Sequence, residues 1–375
     1  MSAPAVPALL PYLQTVPDPR QASGRRHPLA AILALSCAAM LAGCDSLLAI
    51  AEWGRDPHAG APLAQRLGFT RERTPCVATL HRVFRRVNVA AFEHAVGAWA
   101  AAVAAALPEA AEAIAIDGKT LRGSRQPTVP AVHLLSALGH EVGLVLAEVP
   151  VAAQTETKWA RCRRCWPRWC WTGRCAPWMP PSRNAPWPRP SAPKGHYLMP
   201  VKDNQPQLRR DLAHLFADAA LVAATGTRAR TFSKGHGRLE VRRLWTSTAL
   251  TGSRDWPGLA QALCLEREVV RLNTGQVRRE RVYAVTSLPP ARAAAGALLA
   301  LWQGHWGIEN RLHWVRDVGF NEDRSTARVG GVPHGLTALR NTVVGVLRAH
   351  GHAAIAATRR MLAHHADAAV TLLGL

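Results

Sequence analysis

The sequence predicts an α/β fold, a mixed central sheet with flanking helices, preceded by an all-helical N-terminal segment. Three observations carry this. The first 105 residues are rich in Ala and Leu at helical spacing. From residue 113 the apolar residues gather instead in short runs of strand length bounded by glycine turns. Residues 291–317 then return to a helical pattern. Strands that alternate with helices, after a block of helices, suit a mixed sheet packed by helices. An apolar share of 48% over 375 residues is enough to bury a sizeable core, and 19% charged residues excludes a disordered polyelectrolyte.

In chain order, Pro17, Pro19 and Pro28 punctuate the start. Ile32, Leu33, Leu35, Met40, Leu41, Leu47, Leu48 and Ile50 suit two packed helices. The window from Leu29 to Ala51 is apolar but broken by Ser36, Gly43, Asp45 and Ser46. A membrane span needs about 20 mostly apolar residues, so a buried helix is expected and no membrane partner. The stretch "TPCVATLHRVFRRVNVAAFEHAVGAWAAAVAAAL" holds two more helices, split near Asn88. Thr79, Arg82, Arg85 and Arg86 form either a DNA-docking face or the solvated face of a support helix. No basic segment precedes an apolar signal core, and eight cysteines without one imply reduced thiols and a cytoplasmic chain.

"AIAIDGKTL" reads as a strand ending in a carboxylate and a glycine turn. "VHLLSAL" and "GLVLAEVPV", separated by "GHEVG", read as a hairpin, and "HYLMPVK" as a further strand. Residues 206–288 form a basic β-rich insertion containing "RTFSKGHGRLEVRRLWTS" and "ALCLEREVVRLNTGQVRRERVYAVTSL". The domains expected are 1–105, helical, with a candidate DNA-docking face, and 106–375, α/β.

Lys and Arg number 46 against 25 Asp and Glu, a net charge of +21. In a globular chain that points to a polyanion, and nucleic acid is the default. Residues 158–193 are anomalous. They hold 6 of the 13 Trp, 4 of the 8 Cys and 8 Pro, with eight basic residues and no Asp, Glu, Leu, Ile or Val. One reading is a zinc module on Cys162, Cys165, Cys170 and Cys175, but the second pair is poorly spaced. The favoured reading is a slip of reading frame. Trp and Met have one codon each, so Trp178-Met179-Pro180 reads Asp-Ala two bases later. The same frame turns Trp169-Cys170-Trp171-Thr172 into Val-Leu-Asp and Cys165-Trp166-Pro167 into Leu-Ala.

Asp117 ends an apolar strand, where a carboxylate is costly to bury unless paired or metal-bound; capping the turn at Gly118 is the plainer role. "DGKT" lacks the pattern of a P-loop. On a regular helix His305, Glu309, His313 and Arg316 share one face, suited either to a divalent metal beside a phosphodiester or to a surface ion-pair helix. The HExxH pattern is absent. Asp317, Glu322 and Asp323 follow closely, so Glu309 and Glu322 both stand as candidates for the last carboxylate.

The motifs "DPRQASGRRHPL", "TPCVATLHRVFRRV", "AIDGKTLRGS", "HLLSALGHEVGLVLAEV", "YLMPVKDNQP", "KGHGRLEVRRLW" and "HWGIENRLHWVRDVGFNEDRS" occur in order. On them the chain closely resembles bacterial insertion-sequence transposases with an Asp-Asp-Glu triad, and more narrowly the H-repeat-associated group. The resemblance implies a ribonuclease-H-like catalytic domain, with Asp117 and Glu309 as metal-binding catalytic carboxylates and two Mg2+ (or Mn2+) ions in an active homologue. It implies double-stranded DNA as partner, a homodimer on DNA, and DNA contacts from Lys119, Arg122, Lys202, His305 and Arg316. The family pattern of Tyr, Arg, Glu and Lys falls on Trp302, His305, Glu309 and Arg316, of which only the Glu is identical. The second family carboxylate falls at Trp178-Met179, where the shifted frame restores Asp-Ala. The expectation is a transposase that nicks DNA and transfers strands, inactive as written; the alternative is a non-catalytic DNA-binding remnant or repressor of transposition.

Overall fold

Apolar residues on every side of a helix demand a partner on every side, and this is the state of α2 (Leu29–Leu41). All but one of its thirteen residues are buried, as the apolar window led us to expect of a buried helix. The computed structural model describes residues 6–106, 113–151, 175–177, 196–252 and 258–375. The chain divides into two compact units, and neither is a single stretch of sequence.

The first unit comprises Met1–Ala111, Gly118–Gln154 and Gly307–Leu375. After a short α1 (Leu10–Leu13) and α2, the chain makes α3 (Leu47–Arg55), α4 (Val77–Arg86) and α5 (Val89–Ala105). Ser46 and Asn88 cap α3 and α5, their side chains accepting from the backbone N–H of Ala49 and Ala91. β2 (His133–Gly139) and β3 (Val145–Pro150) form the antiparallel hairpin expected from "GHEVG", with Leu134 opposite Pro150. Helix α5 lies on β3. A Cβ at Gly97 would stand 2.7 Å from the Leu146 carbonyl oxygen, so the absence of a side chain there permits the approach. Trp99, 1% exposed, donates its indole N–H to Pro7 O at 2.9 Å.

Later in the chain, Val332–Ala349 forms a long helix here called α9, whose inward residues pack on α2 and α5. Arg359, on α10 (Ile355–Leu362), lies over the Phe320 ring at 3.9 Å, donates to Met40 O at 2.9 Å and pairs with Asp45 at 2.6 Å. α11 (Ala366–Thr371) completes the packing on α2. The N-terminal helices therefore share one core with β2, β3 and the C-terminal helices, whereas the sequence led us to expect them as a domain of their own. Helix α2 has no polar face, and the residues that cover it come partly from the far end of the chain.

The second unit comprises Glu112–Asp117 and Thr155–Trp306. It holds a six-stranded sheet of order β4-β5-β9-β8-β7-β6. β4 (Cys175–Pro177) is parallel to β5 (His196–Val201). β6 (Arg228–Gly235), β7 (Arg238–Ser247), β8 (Gln261–Arg271) and β9 (Val277–Thr286) pair antiparallel, as the sequence predicts for the basic ribbons. His236 and Gly237 both have positive φ, at 50° and 69°, and form the two-residue turn that matches strand twist. One face of the sheet packs Leu198, Leu244, Leu263 and Ala284 under Leu298, Leu299 and Trp302 of α8 (Ala295–Ile308). The other face buries Met199, Val201, Tyr283 and Val285 against Leu212 and Leu215 of α6 (Pro206–Leu215), which precedes α7 (Ala219–Thr225). Toward the ribbon ends the arginines lie beside glutamates: Arg243–Glu266 at 3.0 Å, Arg279–Glu268 at 2.8 Å, and Arg267–Glu240.

The fold is mixed α/β, with helices and largely antiparallel sheets. The described strands fall into two sheets, not one, since β1 (Ile114–Thr120) joins β2 and β3. Strand β1 begins in the second unit and ends in the first. Of the anomalous stretch 158–193 only the backbone of β4 is described, so Cys162, Cys165, Cys170, Trp178 and Met179 lie outside the described residues. Among those described, no single helix is long and apolar enough to cross a membrane. The bent pair α4–α5, turned by 89°, is so only when both pieces are added together.

Candidate metal-binding residues

Beyond Ile308 the chain changes from α8 to π-helical winding, over Glu309–His313 and again over Val315–Gly319. A π-helix bonds i to i+5, so it places more residues in each turn and redirects side chains. Glu309 and His313 still meet, but Arg316 does not share their face as expected on a regular helix. The side chain of Glu309 is 51% exposed, that of His313 4%, and that of Arg316 0%. His313 Nδ1–H donates to Glu309 Oε2 at 3.2 Å. That bond, opposed by partial burial and helped by the Lys119 charge, holds the Glu309 carboxyl below its ordinary range.

Arg316 is turned into the core of the first unit. It donates from Nη1 to Glu148 Oε2 at 3.0 Å and from Nε to Glu322 Oε2 at 2.8 Å. Glu322 Oε1 accepts from Arg340 Nη1 at 3.2 Å and from Thr337 Oγ1 at 3.0 Å. Glu148 also accepts from Asn341 Nδ2 at 2.9 Å and from Ser136 Oγ. Two guanidinium groups and two carboxylates thus balance in charge, the condition under which buried ions are tolerated, although Nε and Nη2 of Arg340 make no hydrogen bond. Burial opposes the charge on Arg316, but Glu322 and Glu148 outweigh it and raise its pKa. Burial likewise works to raise Glu322, and Arg316 and Arg340 outweigh it and lower the carboxyl. Arg316 therefore has no surface to offer a DNA phosphate, a correction to the contact that the resemblance implied. Both oxygens of Glu322 are occupied, which leaves Glu309 as the accessible carboxylate of the two candidates.

Lys119 Nζ contacts Asp317 Oδ2 at 2.6 Å and Asp323 Oδ1 at 3.7 Å, and its side chain is 9% exposed. It binds carboxylates of its own unit and serves DNA poorly. Arg122 is 82% exposed, with its Nε 3.5 Å from Asp323 Oδ2. A Cβ on Gly123 would lie 2.2 Å from Ser325 O, so "DGKTLRGS" is pressed against "NEDRS". Asp117 is half-buried. It stands two residues before Lys119 on the same strand, hence on the same face and about 7 Å away. In the second unit, Lys202 follows β5 and is exposed, while His305 is half-buried on α8.

Sequence reasoning missed Glu148 and the Glu93–His334 pair. Glu93 Oε1 accepts from His334 Nε2 at 2.6 Å, and the ligand atoms of Glu93, Glu148 and His334 all lie within 4.8 Å of one another. Burial pushes Glu93 up to about 7 against the pull of His334. Burial works to lower His334, and the Glu93 carboxylate outweighs it and raises the ring. The signal for Glu148 was present: a carboxylate inside the apolar run "LVLAEVPV", placed as Asp117 is in its own strand.

Residues 10–100 match the family model described as DDE_Tnp_1-associated. The chain is 28% identical over 371 residues to "Putative transposase YncI" of Escherichia coli O157:H7, covering 92% of this chain and 88% of that one. It is 23% identical to "H repeat-associated putative transposase YhhI" of Escherichia coli K12, over 90% of each chain. The chain is a relative of bacterial insertion-sequence transposases. A third relative, "Uncharacterized protein in dhlA 3'region" of Xanthobacter autotrophicus, is 28% identical over 76% of this chain and 96% of that one. A solved piggyBac transposase complexed with hairpin DNA aligns at a TM-score of 0.39 and 11% identity, over 91% of this chain and 72% of that one, which is too distant to carry an argument. The likeness to insertion-sequence transposases thus extends well beyond the N-terminal helices, through the segments that carry Asp117 and Glu309.

Proposed function

We propose that this chain is a DNA transposase by descent, with a ribonuclease-H-like catalytic region in which Asp117 and Glu309 hold a divalent metal beside a DNA phosphate. The observation that carries the reading is the state of Glu309. It is an accessible carboxylate, kept ionised by His313, in a π-helical segment next to the Lys119 end of the strand that bears Asp117. Hard carboxylate oxygens fit magnesium or manganese. Such an ion, when bound, activates the attacking oxygen and stabilises the leaving one. The chain's own part is to supply anionic ligands, with His313 orienting Glu309 and Lys119 keeping Asp317 and Asp323 occupied. Arg122 and Lys202, both exposed, face DNA in this reading, and His305 remains the third candidate. Two ions usually need at least three carboxylates, and Trp178-Met179 stands where the third belongs.

The reading is therefore of a frameshifted copy that lacks strand cleavage but binds transposon ends as a homodimer. The second reading, a DNA-binding remnant or repressor, is favoured by that same missing carboxylate. The test compares the chain with a version whose frame is restored across residues 158–193, each given its element's end DNA and Mn2+. The restored chain is expected to nick and the present one not; equal nicking by both, or by neither, would overturn the catalytic reading.

A further inference from the structure

The first unit has an open cavity of about 910 Å³ between the turn at Ala22–Gly24, the end of α3, the loop before α4, and α4 itself. Six exposed arginines line it: Arg26, Arg55, Arg71, Arg73, Arg82 and Arg86. Arg20 is a seventh, half-buried and bonded to Asp18 Oδ2 and His27 O, each at 2.7 Å. No Asp or Glu is among the described lining residues. The sequence builds this locally. Leu80, Val83 and Phe84 bury one face of α4, which leaves Thr79, Arg82 and Arg86 on the other at helical spacing. Thr74 Oγ1 donates to Gly54 O at 2.8 Å and ties the loop bearing Arg71 and Arg73 to the end of α3, beside Arg55. The N-terminus of α4, ten residues long, opens into the same cavity, with Cys76 at its cap.

We infer that this cavity grips the phosphate backbone of duplex DNA, apart from the carboxylates proposed for catalysis. The inference rests on the DNA reading given above and adds where the duplex is held. Like charges crowded without counterions are costly to the free protein, and a polyanion relieves the cost. The β-ribbons of the second unit are also rich in arginine, but there Arg242, Arg243, Arg267, Arg279 and Arg281 pair with glutamates, whereas the six exposed arginines of the cavity make no ion pair among the described residues. The cationic groups come from four separate segments around a space far larger than one phosphate, which suits successive phosphates of a strand. The surroundings register the field. His27 is pushed below its ordinary value, first by burial and then by Arg20, Arg26 and Arg71. The Cys76 thiol is brought down to about 7 by its hydrogen bond with Thr79, with Arg55 contributing. Cys37, Cys44 and Cys264 are pushed up by burial to about 12, 11 and 11.

The test uses the full chain and a short labelled duplex, with affinity measured across potassium chloride concentrations. Arg82→Gln with Arg86→Gln is expected to flatten the slope of log affinity against log salt by roughly 2. Arg360→Gln with Lys234→Gln, exposed residues outside the cavity, is expected to leave the slope nearly unchanged. On the unsubstituted chain, the duplex is expected to protect Cys76 from iodoacetamide at neutral pH, as read by peptide mass. Inorganic phosphate at equal phosphate concentration is expected not to do so. An unchanged slope in the cavity variant, an equal change in the control, or equal protection by inorganic phosphate overturns the inference. Should the double variant fail to fold, protection of Cys76 decides alone. Absent nicking by the frame-restored chain, with these effects intact, would sink only the catalytic reading.

Discussion

Glu309 and Glu322 look interchangeable in the sequence, and their surroundings make them opposites. Glu309 is half in solvent with a histidine on one oxygen, whereas Glu322 gives both oxygens to Arg316, Arg340 and Thr337 inside the core. Removing one member of a buried, balanced ion set strands the others, at a cost of about 3–5 kcal/mol. Glu322→Gln is therefore expected to lose about that much stability at neutral pH by urea unfolding. Glu322 is held below its ordinary carboxyl range, so its stabilisation is present above pH of about 4.5 and disappears as the pH falls through the folded value. The gap between Glu322→Gln and the unsubstituted chain should narrow in acid, and a gap that widens would contradict the ion-pair account. Asp117 was read from the sequence as a carboxylate in an apolar strand, and Glu148, placed in the same way, was missed. Which of the two is neutralised by arginines was not legible, because Arg316 reaches Glu148 only through the folded structure.

At the scale of elements, the sequence shows which segments are helix or strand better than how they wind or approach. The four N-terminal helices, the split at Asn88, the β2–β3 hairpin and the β6–β9 ribbons follow from apolar period and turn residues. The π-helical winding after Ile308, in which both Glu309 and Arg316 lie, has no such signature. Glycines show the same limit. Gly97 in α5 and Gly296 in α8 look alike in sequence. A Cβ at Gly97 meets the Leu146 carbonyl oxygen at 2.7 Å, whereas one at Gly296 meets nothing within 4 Å. Alanine at an open helical glycine gains about 0.5–1 kcal/mol, and forcing an extra carbon into a packed contact loses about 1–3 kcal/mol. Gly296→Ala is expected to raise the melting temperature and Gly97→Ala to lower it. Thermal melts showing the same sign for both would refute the close packing of α5 on β3.

For the whole molecule, charge and motif order point to a DNA-handling transposase relative, and the comparisons agree with the motif reading over nine-tenths of the chain. Unit boundaries were not legible. They depend on which distant residues cover α2, and the sequence pattern reports only that something must. The cavity of arginines was legible only through Thr79, Arg82 and Arg86; the loops supplying Arg26, Arg71 and Arg73 have no period to read. The central proposal is that Asp117 and Glu309 hold one divalent ion. Iron-mediated cleavage tests it most directly: Fe2+ is loaded in place of magnesium, peroxide and ascorbate are added, and backbone breaks are mapped by mass spectrometry. Breaks clustered both near Asp117 and near Glu309, and suppressed together by Asp117→Asn or by Glu309→Gln, are the expected result. Breaks at only one of the two segments, or a pattern that neither substitution alters, would contradict it.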